Sequence, residues 1–200
     1  MKTTAASRRP SRDAAATRRR ILEAATREFS AFGLAGARTN RIAHAAQANQ
    51  RMLYAYFGNK DGLFDAVLEH HIVLARDAVH FDPADLPGYA QRVFDFYHTH
   101  PSLVRLAMWQ SLERPNLMES FPEAKRAMAE KIDGVTRLQR AGVVNSSLSA
   151  ERLLDTILTL AQGSITVAGR AELWSDDQRR DLGISVTALV APNPTPPPTI

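Results

Sequence analysis

Two apolar stripes at helical spacing, with only 30 residues between them, leave the first third of this 200-residue chain little freedom in how it can fold. Ile21, Leu22, Ala25, Phe29 and Phe32 recur at intervals of three and four, and Leu63, Phe64, Val67, Leu68, His71, Ile72, Ala75 and Val79 repeat the pattern. Each set marks the inward face of an amphipathic helix. Gly33 can close the first as a left-handed cap, and Asn59 suits the N-cap of the second. The interval from Gly33 to Gly58 has room for two short helices. One covers Thr39 to Ala46, with Ile42, Ala43 and Ala46 inward. The other covers Gln50 to Phe57, with Leu53 and Phe57 inward, and the turn "QAN" joins them. Two short helices meeting at a tight turn and braced on either side form a helix-turn-helix, whose second helix enters the major groove of DNA.

Beyond Val79 the chain stays helical. "PADLPG", "THPS", "ERPNL" and "ESFPE" divide it into pieces of helix length, Ser149 precedes a long apolar helix over 152–170, and Leu182, Val186 and Leu189 mark a final one. Period-two alternation is rare and there is no internal repeat, so the expected fold is all-α. The expected organisation is a disordered basic arm over 1–13, the helix-turn-helix domain over 14–62, a larger helical domain over 63–190, and a disordered tail over 191–200. Five prolines in the last nine residues prevent that tail from continuing a helix.

Charge points to the partner. Residues 1–60 carry 12 Lys and Arg against 3 Asp and Glu, whereas residues 61–200 carry 13 against 18. A polyanion attracts the first segment and repels the rest. Without cysteine, disulfides and zinc-thiolate sites are excluded, which fits a reducing compartment. No apolar run approaches the roughly 20 residues of a membrane span, and no signal-peptide pattern follows the first arginines, so a cytoplasmic protein is expected. The paired His70 and His71, and His98 with His100, have spacings that splay side chains on a helix, so no metal site or other cofactor is expected. A nucleophile elbow, a phosphate-binding loop and a dinucleotide fingerprint are all absent, and "GLAGA" follows a helix rather than a strand, which argues against an enzyme. A membrane-surface reading of "TRRRILEAATREF" as a cationic amphipathic helix loses ground because the two short helices downstream need its apolar stripe as their core.

With Leu53 and Phe57 turned inward, Arg51 and Ala55 face directly out, Met52 and Tyr56 lie on one flank, and Tyr54 lies on the other. Tyrosine hydroxyls on opposite flanks suit phosphate oxygens on opposite groove walls. Lys60, at the start of the next helix, opposes the macrodipole unless an anion sits there. Together with the helix N-terminus it then makes a phosphate site.

"ILEAATREFSAFGLAGA", "IAHAA", "LYAYF" and the "NK" opening the next helix resemble the TetR-type (tetracycline-repressor-like) transcriptional regulators, over about Arg18 to Phe64. The resemblance implies that the first turn of the short second helix, at Arg38, Thr39 and Asn40, touches phosphate and sometimes a base. It further implies base contacts from Gln50, Arg51 and Met52 and backbone contacts from Tyr54, Tyr56 and Lys60, with Asn49 and Ala55 also among the DNA-binding candidates. Three residues depart from the family pattern. Gln47 stands where glycine is usual and has to adopt a left-handed conformation costing on the order of 1 kcal/mol, or reshape the turn. Met52 replaces a common threonine, leaving apolar contact, and Ala55 replaces a larger polar residue, which shifts base reading onto Gln50 and Arg51.

The resemblance also implies that residues 63–190 bind an unidentified small-molecule effector that releases the protein from DNA, with His71, Phe94, Tyr97 and Trp109 as pocket candidates, and that the protein represses transcription. Leu153, Leu154, Ile157, Leu158, Leu160, Ala161, Ile165, Val167 and Ala168 wrap more of a helix than one core stripe needs. Gly163, Ser164 and Gly183 permit close helix approach. Both features suit a homodimer through the last two helices, spacing two readers about 34–36 Å apart on a near-palindromic operator. A monomer with a fully buried helix, and an architectural DNA binder without effector, are the alternatives.

Overall fold

The computed structural model describes residues 12–115, 117–168 and 175–192, without the side chains of 12, 118, 119 and 164–168. The expectations for residues 1–11, for the side chains of Ser164, Ile165, Val167 and Ala168, for Arg170 and for most of the proline-rich tail therefore lie outside the described residues.

The elements are α1 (Arg12–Gly36), α2 (Thr39–Ala45), α3 (Gln50–Phe57), α4 (Lys60–Ala78), α5 (Leu86–Thr99), α6 (Pro101–Glu113), a 3-10 turn (Leu117–Ser120), α7 (Pro122–Arg140), α8 (Ala150–Ala168) and α9 (Asp176–Val190). The fold is all-α, and no strand occurs among the described residues. Helix α1 begins at Arg12, inside the segment read as an arm. The chain divides into two compact units, one to His70 and one from His71, and the division falls within α4.

The first unit is built on the residues of the two stripes. Ile21, Phe29, Ile42, Leu53, Leu63, Phe64 and Val67 are fully buried. Phe29 and Phe64 meet edge to face with ring centroids 5.0 Å apart, which joins α1 to α4. Phe32 departs from the expected stripe and is 49% exposed, with the Arg41 guanidinium 4.4 Å above its ring. It sits on the last turn before Gly33, whose φ of 68° interrupts the helix.

The second unit is organised on α5, which packs against α6, α8 and α9. Its core joins Tyr89, Ala90, Val93, Phe94 and Phe96 to Leu153, Leu154, Ile157 and Ala161 of α8 and Leu182 and Val186 of α9. Polar contacts fix the register. Arg179 Nε donates to both carboxylate oxygens of Asp95 at 2.9 Å, and Gln91 Nε2 donates to the Arg179 carbonyl at 3.1 Å. Asp85 caps α5 by accepting from Gly88 N, and the hydrogen bond from Arg92 holds its carboxyl below the usual range. Lys131 Nζ donates to Tyr89 OH at 2.8 Å and sits over the rings of Phe81 and Tyr89. Burial lowers the lysine pKa and pushes the phenol up to about 12.

The apolar wrap of α8 is largely used inside the protomer. Leu153, Leu154, Ile157 and Ala161 are at most 1% exposed. Gly183 faces α5, since a Cβ there would stand 2.5 Å from Gln91 Nε2, so its close approach is made within the chain. Leu160 and Ile184 remain exposed.

Candidate nucleic-acid interface

A carboxylate anchors the entry to α2. Glu28 Oε1 accepts from the backbone N–H of Arg38 at 2.8 Å and from Arg41 Nε at 2.7 Å. Its side chain is only 10% exposed. Charge-assisted bonds of this length are among the stronger ones available to a half-sheltered group. They fix the first turn of α2 against α1, with the Arg41 guanidinium bonded to the Gly36 carbonyl and stacked on Phe32. Sequence reading missed this pair. Glu28 and Arg41 are 13 residues apart on different helices, and no local spacing links them.

Helix α2 ends in the first of the two ways the sequence left open. Gln47 has a φ of 51°, the one positive value at a non-glycine position among the described residues. Ala48 N donates to Ala43 O and Gln47 N to His44 O, which together form a Schellman closure. The strain is therefore real, and the turn keeps its ordinary hydrogen bonds. Gln47→Gly should raise stability by about 0.5–1 kcal/mol, because relief of the left-handed strain exceeds the extra chain entropy of glycine. Urea unfolding of the two proteins measures the difference.

Asn49 then caps α3 by accepting from Met52 N at 2.8 Å. Helical period sends Leu53 inward at 0% exposure. Phe57 is half-buried, its ring covered by the Arg18 guanidinium at 5.3 Å. The opposite face carries Arg51 and Ala55, both exposed, flanked by Tyr54 at 44% and Tyr56 at 36%, with Met52 half-buried. Gln50 Nε2 donates to Thr39 Oγ1 at 2.9 Å, and the same hydroxyl lies 3.2 Å from Tyr54 OH, so three candidate residues form one chain across α2 and α3. Arg38 and Asn40 are exposed on α2, and Asn40 Oδ1 accepts from Arg41 N at 2.8 Å.

Lys60 is placed differently from the expectation. Its ammonium reaches back to the carbonyls of Ala35 and Ala37, each at 3.3 Å, which compensates a cation at a helix start. One of its three N–H donors is left for an anion. Asn59 caps α4 through Gly62 N at 2.7 Å. A Cβ on Gly62 would lie 2.3 Å from the Phe57 carbonyl oxygen, so glycine permits the close approach of α4 to the end of α3.

The effector candidates line neither of two clefts on the described part of the second unit. Phe94 is 4% exposed in the core and its ring is parallel to that of His98, with centroids 6.4 Å apart. Tyr97 is half-buried with its OH 3.5 Å from Gln162 Nε2, and His71 and Trp109 are half-buried on α4 and α6. A cleft of about 290 Å³ beside Val104, Met108, Leu112 and Gln162 and another of about 570 Å³ beside Gln91, Gly183 and Ile184 are lined by none of the four. Among the described residues no three His, Asp or Glu come together as a metal site, and no helix is long and apolar enough to cross a membrane.

Residues 21–67 match the model of the bacterial regulatory proteins of the tetR family, and residues 85–190 match the tetracyclin repressor-like C-terminal domain. The second match alone spans more than half of the chain. The protein belongs to the TetR family. It is 39% identical over 158 residues to the HTH-type transcriptional repressor SCO4008 of Streptomyces coelicolor, covering 78% of this chain and 82% of that one. It is 36% identical over 129 residues to the repressor NicS of Pseudomonas putida, covering 60% of each. The crystal structure of SCO4942 from Streptomyces coelicolor superposes with a TM-score of 0.76 at 31% identity, covering 88% of this chain and 99% of that one. As a TetR-family member the protein is a DNA-binding transcriptional regulator and not an enzyme.

Proposed function

We propose that this TetR-family protein is a homodimeric repressor that grips a near-palindromic operator with α2, α3 and the start of α4 and leaves it when a small molecule occupies the second unit. The observation that carries the reading is the exposed face of α3, where an arginine stands between two half-exposed tyrosines above a fully buried leucine. In it Arg51 reads a base edge, favouring guanine by its fork geometry, and Met52 and Ala55 make apolar contacts. Tyr54, Tyr56, Lys60 and the exposed Arg38, Asn40 and Asn49 hold the phosphates on either side. Repression is supported by the names of SCO4008 and NicS. The exposed Leu160 and Ile184 support a dimer surface on α8 and α9. His71, Phe94, Tyr97 and Trp109 stay as pocket candidates for an effector, which would have to open the packing around Phe94.

Duplexes selected from a random pool should bind with an affinity that falls steeply with salt. Lys60→Ala should weaken all sequences alike and reduce the salt slope by about one unit, whereas Arg51→Ala should relax preference at one base position. Identical behaviour of the two across a panel of sites would reverse the assignment of roles. Light scattering of the free protein and of the complex reads the subunit count, and a monomer in both would remove the palindrome.

A further inference from the structure

Glutamine on an exposed helix face ordinarily samples several rotamers and can offer either end of its amide to a ligand. Gln50 is not free in this way. Its Nε2 donates to Thr39 Oγ1 at 2.9 Å, and when that hydroxyl gives its own proton to Tyr54 OH, turning the amide over would set a carbonyl oxygen against an oxygen with no proton to donate. Thr39 is itself held at both ends. Its backbone follows Arg38, whose N–H is anchored on Glu28, and its hydroxyl lies 3.2 Å from Tyr54 OH.

What remains on Gln50 is one N–H and the adjacent Oε1, a donor beside an acceptor. In the major groove adenine presents N7, an acceptor, beside the N6 amino donor, which is the complementary pair. Guanine offers two acceptors there, cytosine a donor alone, and thymine an acceptor with a methyl group, so each leaves one end of the amide unmatched.

We propose that Thr39 is a positioning residue that fixes the carboxamide of Gln50 to read adenine, with Tyr54 securing the threonine hydroxyl. The inference rests on the DNA-binding role proposed above for α3. It assigns Thr39 to base selection through Gln50 rather than to a phosphate.

The test is selection of duplexes from a random pool by the full chain, followed by competition binding at fixed salt with each base at every half-site position. The wild-type protein shows a position where adenine is preferred on the order of tenfold. Gln50→Ala abolishes that preference and leaves the other positions alone. Gln50→Glu, which keeps only an acceptor, moves it toward cytosine. Thr39→Val lowers discrimination at the same position, Thr39→Ser restores it, and Thr39→Val adds nothing in the Gln50→Ala background. A thermal melt of each variant verifies the fold. If Thr39→Val instead weakens every sequence equally, Thr39 is a phosphate contact and the proposal is wrong. The proposal also fails if the Gln50-dependent base is not adenine, and in both cases the DNA-binding reading stands. If the wild-type chain selects no sequence at all, both are wrong.

Discussion

Gly62→Ala should cost at least about tenfold in specific duplex binding and about 1–3 kcal/mol in stability. The new Cβ would stand 2.3 Å from the carbonyl oxygen of Phe57. That atom is backbone, the last residue of α3, and cannot rotate away as a side chain could. Relief requires α4 and α3 to part, which moves the reading helix and loosens the Asn59 bond to Gly62 N. Gel-shift titration of a selected duplex, beside a thermal melt, measures both quantities. Unchanged affinity in a folded Gly62→Ala protein would mean that the end of α3 is compliant and does not set the reader's position.

Phe64→Ala should destabilise the first unit by about 3–5 kcal/mol, a large share of the roughly 5–15 kcal/mol by which a domain is folded. Phe64 is fully buried and edge-on to Phe29, so truncation removes buried area and leaves a cavity between α1 and α4. Phe32→Ala is the matched control. Phe32 lies on the same sequence stripe but is 49% exposed, and its loss should cost no more than about 1 kcal/mol through the Arg41 stacking. Urea unfolding followed by far-ultraviolet circular dichroism compares the two. Equal losses would mean that the stripe, and not the burial, measures each residue's contribution.

These two phenylalanines show where sequence reading reaches its limit. Spacing places both on one helical face, but whether that face is covered at a given turn depends on what arrives from elsewhere in the chain. The turn at Gln47 was legible only through the family resemblance, which left a strained residue or a reshaped turn open, and its φ of 51° decides for the strained residue. The outward set of Arg51, Tyr54, Ala55 and Tyr56 was legible as a consequence of 3.6-residue periodicity about Leu53. Lys60 was legible as a position and not as a direction. Its ammonium turns to carbonyls of residues 35 and 37, which no spacing near Lys60 announces. The apolarity of α8 was plain, yet its buried side belongs to its own protomer through Leu153, Leu154, Ile157 and Ala161.

The sequence by itself determined the helices, the Asn59 cap and the face that α3 turns outward, because each follows from backbone geometry repeated over a few residues. Only the tertiary structure decided that Glu28 clamps Arg41 and that Thr39 joins Gln50 to Tyr54. Hydrogen bonds require approach to about 3 Å, and residues 11 to 15 positions apart reach that distance only after α1, α2 and α3 have packed.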